Sequence, residues 1–276
     1  MAGKMAWLAS YPRSGNTWMR LMLRSLHLEG AEPDINGNEG PSSPIASRWD
    51  LECAGGLQAS LLTWDELAEL RPYVYRMHAE RSDEPLLLRK VHDSCWMTPQ
   101  GKRAFPPEIS LGAVYLVRDP RDVAVSLAHF WNTNIDHVIG HMGNIKSTMA
   151  AGRQGGQLPQ LTSTWSHHFK SWVDDSEMPV LVVRYEDTLA DAAGQLRRVA
   201  KFLQVSDDHV EAAADATSFS RMTQQESSSG FREKPPKIDR FFREGKSGSG
   251  KRTLTPKQLE TIENDHREVM ERLGYL

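Results

Sequence analysis

Four short apolar runs punctuate the chain: Met5 to Ala9, Leu86 to Val91, Ala113 to Val117 and Val180 to Val183. Uninterrupted runs of this length, bounded by turn residues, read as strands buried in a parallel sheet. The segments between them are too long for hairpins and carry helical periodicity, as βαβ crossovers require. One helix runs through Met19, Leu21, Met22, Leu23 and Leu26, and a second starts near Asp122 and continues through Val123, Val125, Leu127 and Phe130. A third spans Leu189 to Leu203 with Leu196, Val199, Phe202 and Leu203 on one face, and a last one, Pro256 to Leu273, follows Thr255 as its N-cap. Residues 30–48, 140–163 and 224–252 break the pattern with Gly, Ser, Pro and Asn and read as loops, the middle one holding Gly140, Gly143, Gly152, Gly155 and Gly156. There is no internal repeat and no composition break. The pattern predicts one α/β domain over residues 1–276, a central parallel sheet flanked by helices.

The first strand leads into Ser10-Tyr11-Pro12-Arg13-Ser14-Gly15-Asn16-Thr17-Trp18. A strand, a tight turn and a helix start aim several backbone N–H groups at one spot, and the helix end adds partial positive charge. Ser14, Asn16 and Thr17 supply short polar side chains, Gly15 allows close approach, and Arg13 supplies a cation. This is a phosphate cradle without the Walker pattern, because the cation precedes the glycine. Gly245 to Lys251 does read G-x-x-x-x-G-K, but Arg252 stands where the Mg²⁺-holding hydroxyl is needed, and no apolar strand precedes it.

Arg118 follows the third strand, at the end where open α/β sheets place their ligands, and Ser126 comes eight residues later on the departing helix. A guanidinium fork with a hydroxyl suits a terminal phosphate. A surface network among Arg118, Asp119, Arg121 and Asp122 would use the same residues. The second strand ends in Lys90-Val91-His92, and period-2 alternation puts Lys90 and His92 on one face.

Composition narrows the partners. A formal charge of −3 argues against a nucleic-acid binder while leaving room for one basic nucleotide pocket. Cys53 and Cys95 stand in no metal-ligand spacing and imply no disulfide framework, which fits a reducing compartment. No stretch approaches the roughly 18 apolar residues of a membrane span, and Tyr11-Pro12-Arg13 interrupts any secretory signal core. The expected setting is cytoplasmic, with no membrane or nucleic-acid partner.

The string Tyr11 to Trp18 resembles the 5′-phosphosulfate loop of sulfotransferases that use 3′-phosphoadenosine-5′-phosphosulfate (PAPS), usually Tyr-Pro-Lys-Ser-Gly-Thr-Thr-Trp, with Arg13 for Lys and Asn16 for Thr. Arg118 and Ser126 match the family pair that grips the 3′-phosphate. Thr217-Ser218-Phe219 resembles the Thr-Ser-Phe segment that contacts the nucleotide, with Phe219 on the adenine, and Tyr185 matches the tyrosine of the Tyr-Glu-Asp segment. Phe242 to Gly248 resembles the closing Arg-Lys-Gly-x-x-Gly loop; Glu244 reverses the expected charge, leaving Arg243, Gly245 and Lys246 as ligands. Lys90-Val91-His92 is similar to the family's Lys-Thr-His, whose histidine is the general base.

The resemblance implies a P-loop-like sulfotransferase fold and transfer of a sulfuryl group from PAPS to a small-molecule hydroxyl. The product nucleotide is 3′,5′-bisphosphoadenosine (PAP), and no metal takes part. His92 is then the base, and Lys90, Arg13 and the amides of residues 14–18 stabilise developing charge. Trp96, Phe105, Phe130 and Trp131 are candidate apolar walls for the acceptor. The run Trp165 to Trp172 resembles a family helix whose histidine lies near the acceptor, which would be His168, although its aromatic spacing equally fits a packed helix face. A nucleotide or small-molecule kinase, or a non-catalytic nucleotide-binding protein, remains the alternative.

Overall fold

All four apolar runs become strands. The computed structural model describes residues 4–37, 43–150 and 156–276, so Gly152 and Gly155 of the expected middle loop and residues 38–42 of the first lie outside the described residues. The strands are β1 (Lys4–Ser10), β2 (Ser43–Pro44), β3 (Leu86–Val91), β4 (Ser110–Val117), β5 (Thr148–Met149), β6 (Gln160–Leu161) and β7 (Val180–Arg184). The helices are α1 (Asn16–His27), α2 (Arg48–Gly55), α3 (Trp64–Arg81), α4 (Pro120–Trp131), α5 (Ile135–Met142), α6 (Trp165–Val173), α7 (Tyr185–Ala190), α8 (Ala192–Leu203), α9 (Val210–Ala216), α10 (Phe219–Ser229), α11 (Ser249–Thr253) and α12 (Pro256–Arg272).

The chain packs as two compact units. The first comprises Met1–Tyr11, Ser42–Tyr115 and Asn144–Val182. It holds the sheet, in the order β2-β3-β1-β4-β7, with β3 parallel to both β1 and β2. The β1–β3 register pairs Met5 with Leu87 and Ala9 with Val91, so the two strands end level, at Ser10 and His92. Its core is aromatic: Trp7 meets Tyr75 at 5.7 Å and Phe105 at 5.1 Å, and Phe105 meets Trp172 at 4.8 Å. Phe105 is fully buried there. It is a core residue and not the acceptor wall its apolarity had implied.

The second unit comprises Pro12–Pro41, Leu116–Gly143 and Val183–Leu276. Leu21, Ile35, Met222, Phe231, Phe241 and Phe242 form a buried cluster, with Trp18, Phe130 and Phe219 against it. Phe130 is thereby another packing residue. The helix expected over Leu189 to Leu203 is two helices, because the Asp191 side chain accepts from Gly194 N–H at 2.8 Å and starts α8 afresh. Ser227 to Ser229 belong to α10 and not to a loop. Thr255 caps α12 as expected, in a full capping box with Gln258.

Candidate active site

The turn after β1 carries two left-handed residues, Arg13 at φ 69° and Gly15 at φ 96°. Gly15 tolerates this without penalty, whereas a left-handed arginine is a strained conformation held by its surroundings. A Cβ on Gly15 would lie 2.9 Å from Cδ2 of Tyr185, so the close approach also demands glycine. Gly15 is the N-cap of α1 and brings no capping side chain. The first-turn amides of α1 therefore face whatever anion the turn admits. Ser14 Oγ is buried with no hydrogen-bond partner, an arrangement that water or a ligand oxygen would satisfy.

Arg13 is clamped from several sides. Its Nε donates to Ser126 Oγ at 3.1 Å and its Nη2 to the Phe241 carbonyl at 3.3 Å. Its guanidinium lies 4.8 Å from the Phe130 ring centroid and 4.4 Å from that of Phe241. Burial first, then the neighbouring Arg118 and Arg243, push its pKa down to about 10, so it stays cationic at neutral pH. Arg118 donates to the carbonyls of Arg13 at 3.4 Å and Lys246 at 3.0 Å, and its plane covers the Tyr185 ring at 4.4 Å. Its Nε is buried without a partner. Three guanidinium groups that raise one another's cost of charging make a site that favours an anion.

The segment after α10 is pinned to this cluster by two carboxylates. Glu226 accepts from the backbone N–H groups of Phe241 at 2.6 Å and Phe242 at 3.0 Å. Asp122 accepts from those of Gly248 at 2.7 Å and Gly250 at 2.6 Å, and lies 3.6 Å from Arg118. Between the two anchors, Gly245 at φ 58° presses on Phe219, where an added Cβ would fall 2.4 Å from Cδ2. Arg243 pairs with Glu244 at 2.9 Å. The Thr217 hydroxyl bonds back to the Ala213 carbonyl, while the Thr217 carbonyl accepts from Trp18 Nε1 at 3.0 Å. Thr17 Oγ1 accepts from Arg20, itself paired with Glu233. A small cavity lined by Ser14, Gly15, Trp18, Tyr185 and Thr188 opens beside the loop.

All the expected nucleotide ligands thus belong to the second unit: Arg13, Ser14, Gly15, Asn16, Thr17, Trp18, Arg118, Ser126, Tyr185, Thr217, Phe219, Arg243 and Gly245. Asp122 and Glu226, which hold the loop that carries two of them, were not legible beforehand. The residues suit an adenosine bisphosphate, offering cations and amides for two phosphates and the Phe219 and Trp18 rings for a base.

Lys90 and His92 belong to the first unit. His92 Nδ1 lies 2.9 Å from the Ser10 carbonyl and 3.2 Å from Ser10 Oγ. A carbonyl only accepts, so Nδ1 carries the proton and Nε2 carries the lone pair. The His92 carbonyl accepts from His168 Nε2 at 3.2 Å, which leaves His168 Nδ1 to accept from the Tyr115 hydroxyl at 2.8 Å. Burial pushes the His168 pKa down to about 3, so it stays neutral. His168 is fully buried with both nitrogens engaged, a strut behind His92 and not an acceptor contact. Among the described residues, no group of three or more His, Cys, Asp or Glu is placed to hold a metal ion, and no helix is long and apolar enough to cross a membrane.

The family model for the sulfotransferase domain matches residues 4–274. The chain belongs to the sulfotransferase family. Among the family's curated members, it is 28% identical to Sulfotransferase 2A2 of Mus musculus over 165 residues, 57% of this chain and 56% of that protein, just over half its length. It is 27% identical to Sulfotransferase 1E1 of Homo sapiens over 278 residues, 95% of this chain and 82% of that protein. The crystal structure of mouse sulfotransferase SULT7A1 complexed with PAP superposes at a TM-score of 0.60 with 20% identity, covering 97% of this chain and 84% of that one. This likeness bears out the α/β fold with its central parallel sheet.

Proposed function

We propose that the chain is a PAPS-dependent sulfotransferase that sulfates a hydroxyl of a small-molecule acceptor in the cytoplasm, with no metal and no nucleic-acid or membrane partner. In this reading the two units work as one sulfotransferase domain, in keeping with the unbroken family match over 4–274. PAPS, when bound, supplies the activated sulfuryl group and is converted to PAP. The observation that carries the proposal is the convergence of Arg13, Arg118 and Arg243 on a glycine turn whose Ser14 Oγ is buried and unsatisfied.

The roles follow from the chemistry of each group. Ser14, the amides of residues 15–18 and Arg13 hold the 5′-phosphate end, while Arg118 and Ser126 hold the 3′-phosphate. Phe219, seated on Gly245, and Trp18 and Tyr185 flank the base. His92, held with its lone pair on Nε2, accepts the proton of the acceptor hydroxyl. Lys90 and Arg13 offset negative charge as it grows. Arg13 donates hydrogen bonds without giving up its proton, because even at about 10 its pKa keeps it charged at neutral pH.

The test is a transfer assay: purified protein, PAPS and a panel of phenols, alcohols and amines, with PAP release and sulfated product measured together. Product from a hydroxyl acceptor, abolished in His92→Ala, is the expected result. Phosphorylation of acceptors by ATP·Mg²⁺, with no product from PAPS, would overturn the proposal.

A further inference from the structure

Asp93 directly follows His92, and its surroundings are unusual for a charged residue. Arg71 of α3 grips it with two hydrogen bonds, Nη1 to Oδ1 at 3.0 Å and Nη2 to Oδ2 at 2.6 Å. The two side chains are only 2% and 0% exposed. Arg71 Nε donates to the Tyr75 hydroxyl at 2.7 Å, and its guanidinium lies 5.4 Å from the Trp96 ring. Asp93 Oδ1 accepts in addition from Leu161 N–H at 3.0 Å and from Trp96 Nε1 at 3.3 Å, while the Asp93 carbonyl accepts from Trp172 Nε1 at 2.9 Å. One residue therefore ties α3, β6, α6 and the Trp96 segment together.

A buried ion pair is a poor source of stability, because desolvating both charges offsets most of their attraction; apolar residues of similar volume often serve as well or better. What a fully bonded pair does supply is fixed geometry. Here the geometry concerns a single peptide unit. The Asp93 side chain holds one end of it, the His168 Nε2–H holds the His92 carbonyl, and the Ser10 carbonyl holds the His92 ring.

We propose that the Arg71–Asp93 pair is a positioning device for His92, fixing the backbone at residues 92–93 so that Nδ1 stays on the Ser10 carbonyl and the Nε2 lone pair is held for the acceptor proton. The inference rests on the sulfotransferase reading, in which His92 is the base, and deepens it. Neither Arg71 nor Asp93 is a catalytic residue; both act through His92. Displacing a reacting group by as little as about 1 Å can cost a hundredfold in rate, so loss of the pair acts on kcat and not on nucleotide affinity.

The decisive variant is Arg71→Met/Asp93→Asn. Removing one partner alone would strand a buried charge, whereas the double variant removes both and keeps an Oδ1 acceptor for Leu161 N–H. The first readout needs no acceptor: nitrogen NMR of histidine-labelled protein, with the His92 signals assigned by their absence in His92→Gln. The expected spectrum shows one Nδ1–H tautomer for His92 in the parent and averaged tautomers in the double variant. The second is turnover. We expect kcat to fall by about tenfold or more, PAPS KM and PAP affinity to stay within about twofold, and no further loss on adding the changes to His92→Ala. A parent-like tautomer, or kcat within about threefold of the parent, would overturn the proposal. If His92→Ala keeps full turnover while the tautomer still averages in the double variant, the base assignment fails and the positioning stands. Should the double variant not fold, Asp93→Asn alone, which keeps the fork acceptor but not the charge, carries the same readouts.

Discussion

Arg118 offers the sharpest prediction on the nucleotide site. Replacing it with Met keeps most of its volume and leaves Asp122 bonded to Gly248 and Gly250, so the closing loop stays anchored. The hydrogen bonds lost within the protein, to the Arg13 and Lys246 carbonyls, have neutral acceptors and are worth about 1 kcal/mol each. A hydrogen bond between a guanidinium and a phosphate is worth about 1.5–3 kcal/mol. Arg118 is only 9% exposed, so that figure is not screened away by solvent. The variant should therefore lose about 2–4 kcal/mol for PAP, or roughly 30-fold to 1,000-fold in Kd. AMP lacks the 3′-phosphate and should weaken by no more than about threefold. Titration calorimetry with both nucleotides measures the ratio of their affinities, which should collapse toward unity. Equal losses for PAP and AMP would refute the assignment and make Arg118 a structural residue.

Other consequences are as direct. Gly245→Ala places a Cβ within 2.4 Å of Phe219 Cδ2 at φ 58°, so the ring must shift; PAP and AMP should both weaken about tenfold, an overpacking cost of about 1–3 kcal/mol, and unchanged calorimetric affinities would show that Phe219 does not touch the base. Glu244→Lys frees Arg243 and adds a cation, and because this pair is partly exposed the gain in PAP affinity should be only about threefold and fade in high salt; weaker binding would show that Glu244 is itself a ligand anchor. Burial holds His168 and His266 neutral, with pKa values down at about 3 and about 4, while both return to about 6.5 on unfolding. The unfolded chain thus binds more protons below pH 6.5, so their contribution is complete above that pH and is lost as pH falls toward 4, at up to about 1.4 kcal/mol per pH unit for each histidine. His266→Gln should flatten the urea midpoint against pH between pH 6 and 5, and an unchanged slope would contradict the assignment.

What the sequence made legible was local. β3 spans Leu86–Val91 as the apolar run predicts, and the turn at Arg13 to Gly15 sits at a helix start because its residues report their own backbone needs. The clamp by Asp122 was hidden, since its partners at 248–250 lie more than a hundred residues away and its neighbours Asp119 and Arg121 invite a surface network. Arg121 does pair with Asp119, but it is buried and also reaches Glu263 and the Tyr275 carbonyl. Glu226 was obscured by the serines that follow it, whose loop-like composition a tertiary bond to residues 241 and 242 overrides. Phe105 shows the opposite failure. Apolarity marks a residue for burial but does not say whether protein or ligand covers it, and here Trp7, Tyr75 and Trp172 do. His168 is the same case for a polar side chain, its helical spacing giving no sign that Tyr115 and the His92 carbonyl would claim both nitrogens.

The central claim is that two phosphate sites are built for one adenosine bisphosphate. Thermal unfolding of the protein with PAP, and in parallel with AMP, ADP and ATP·Mg²⁺, tests it most directly. A ligand that binds only the native state adds about 2.7 kcal/mol at a hundred times its Kd. The account predicts that PAP raises the unfolding temperature well beyond any nucleotide lacking the 3′-phosphate. Stabilisation by ATP·Mg²⁺ with none by PAP would contradict it.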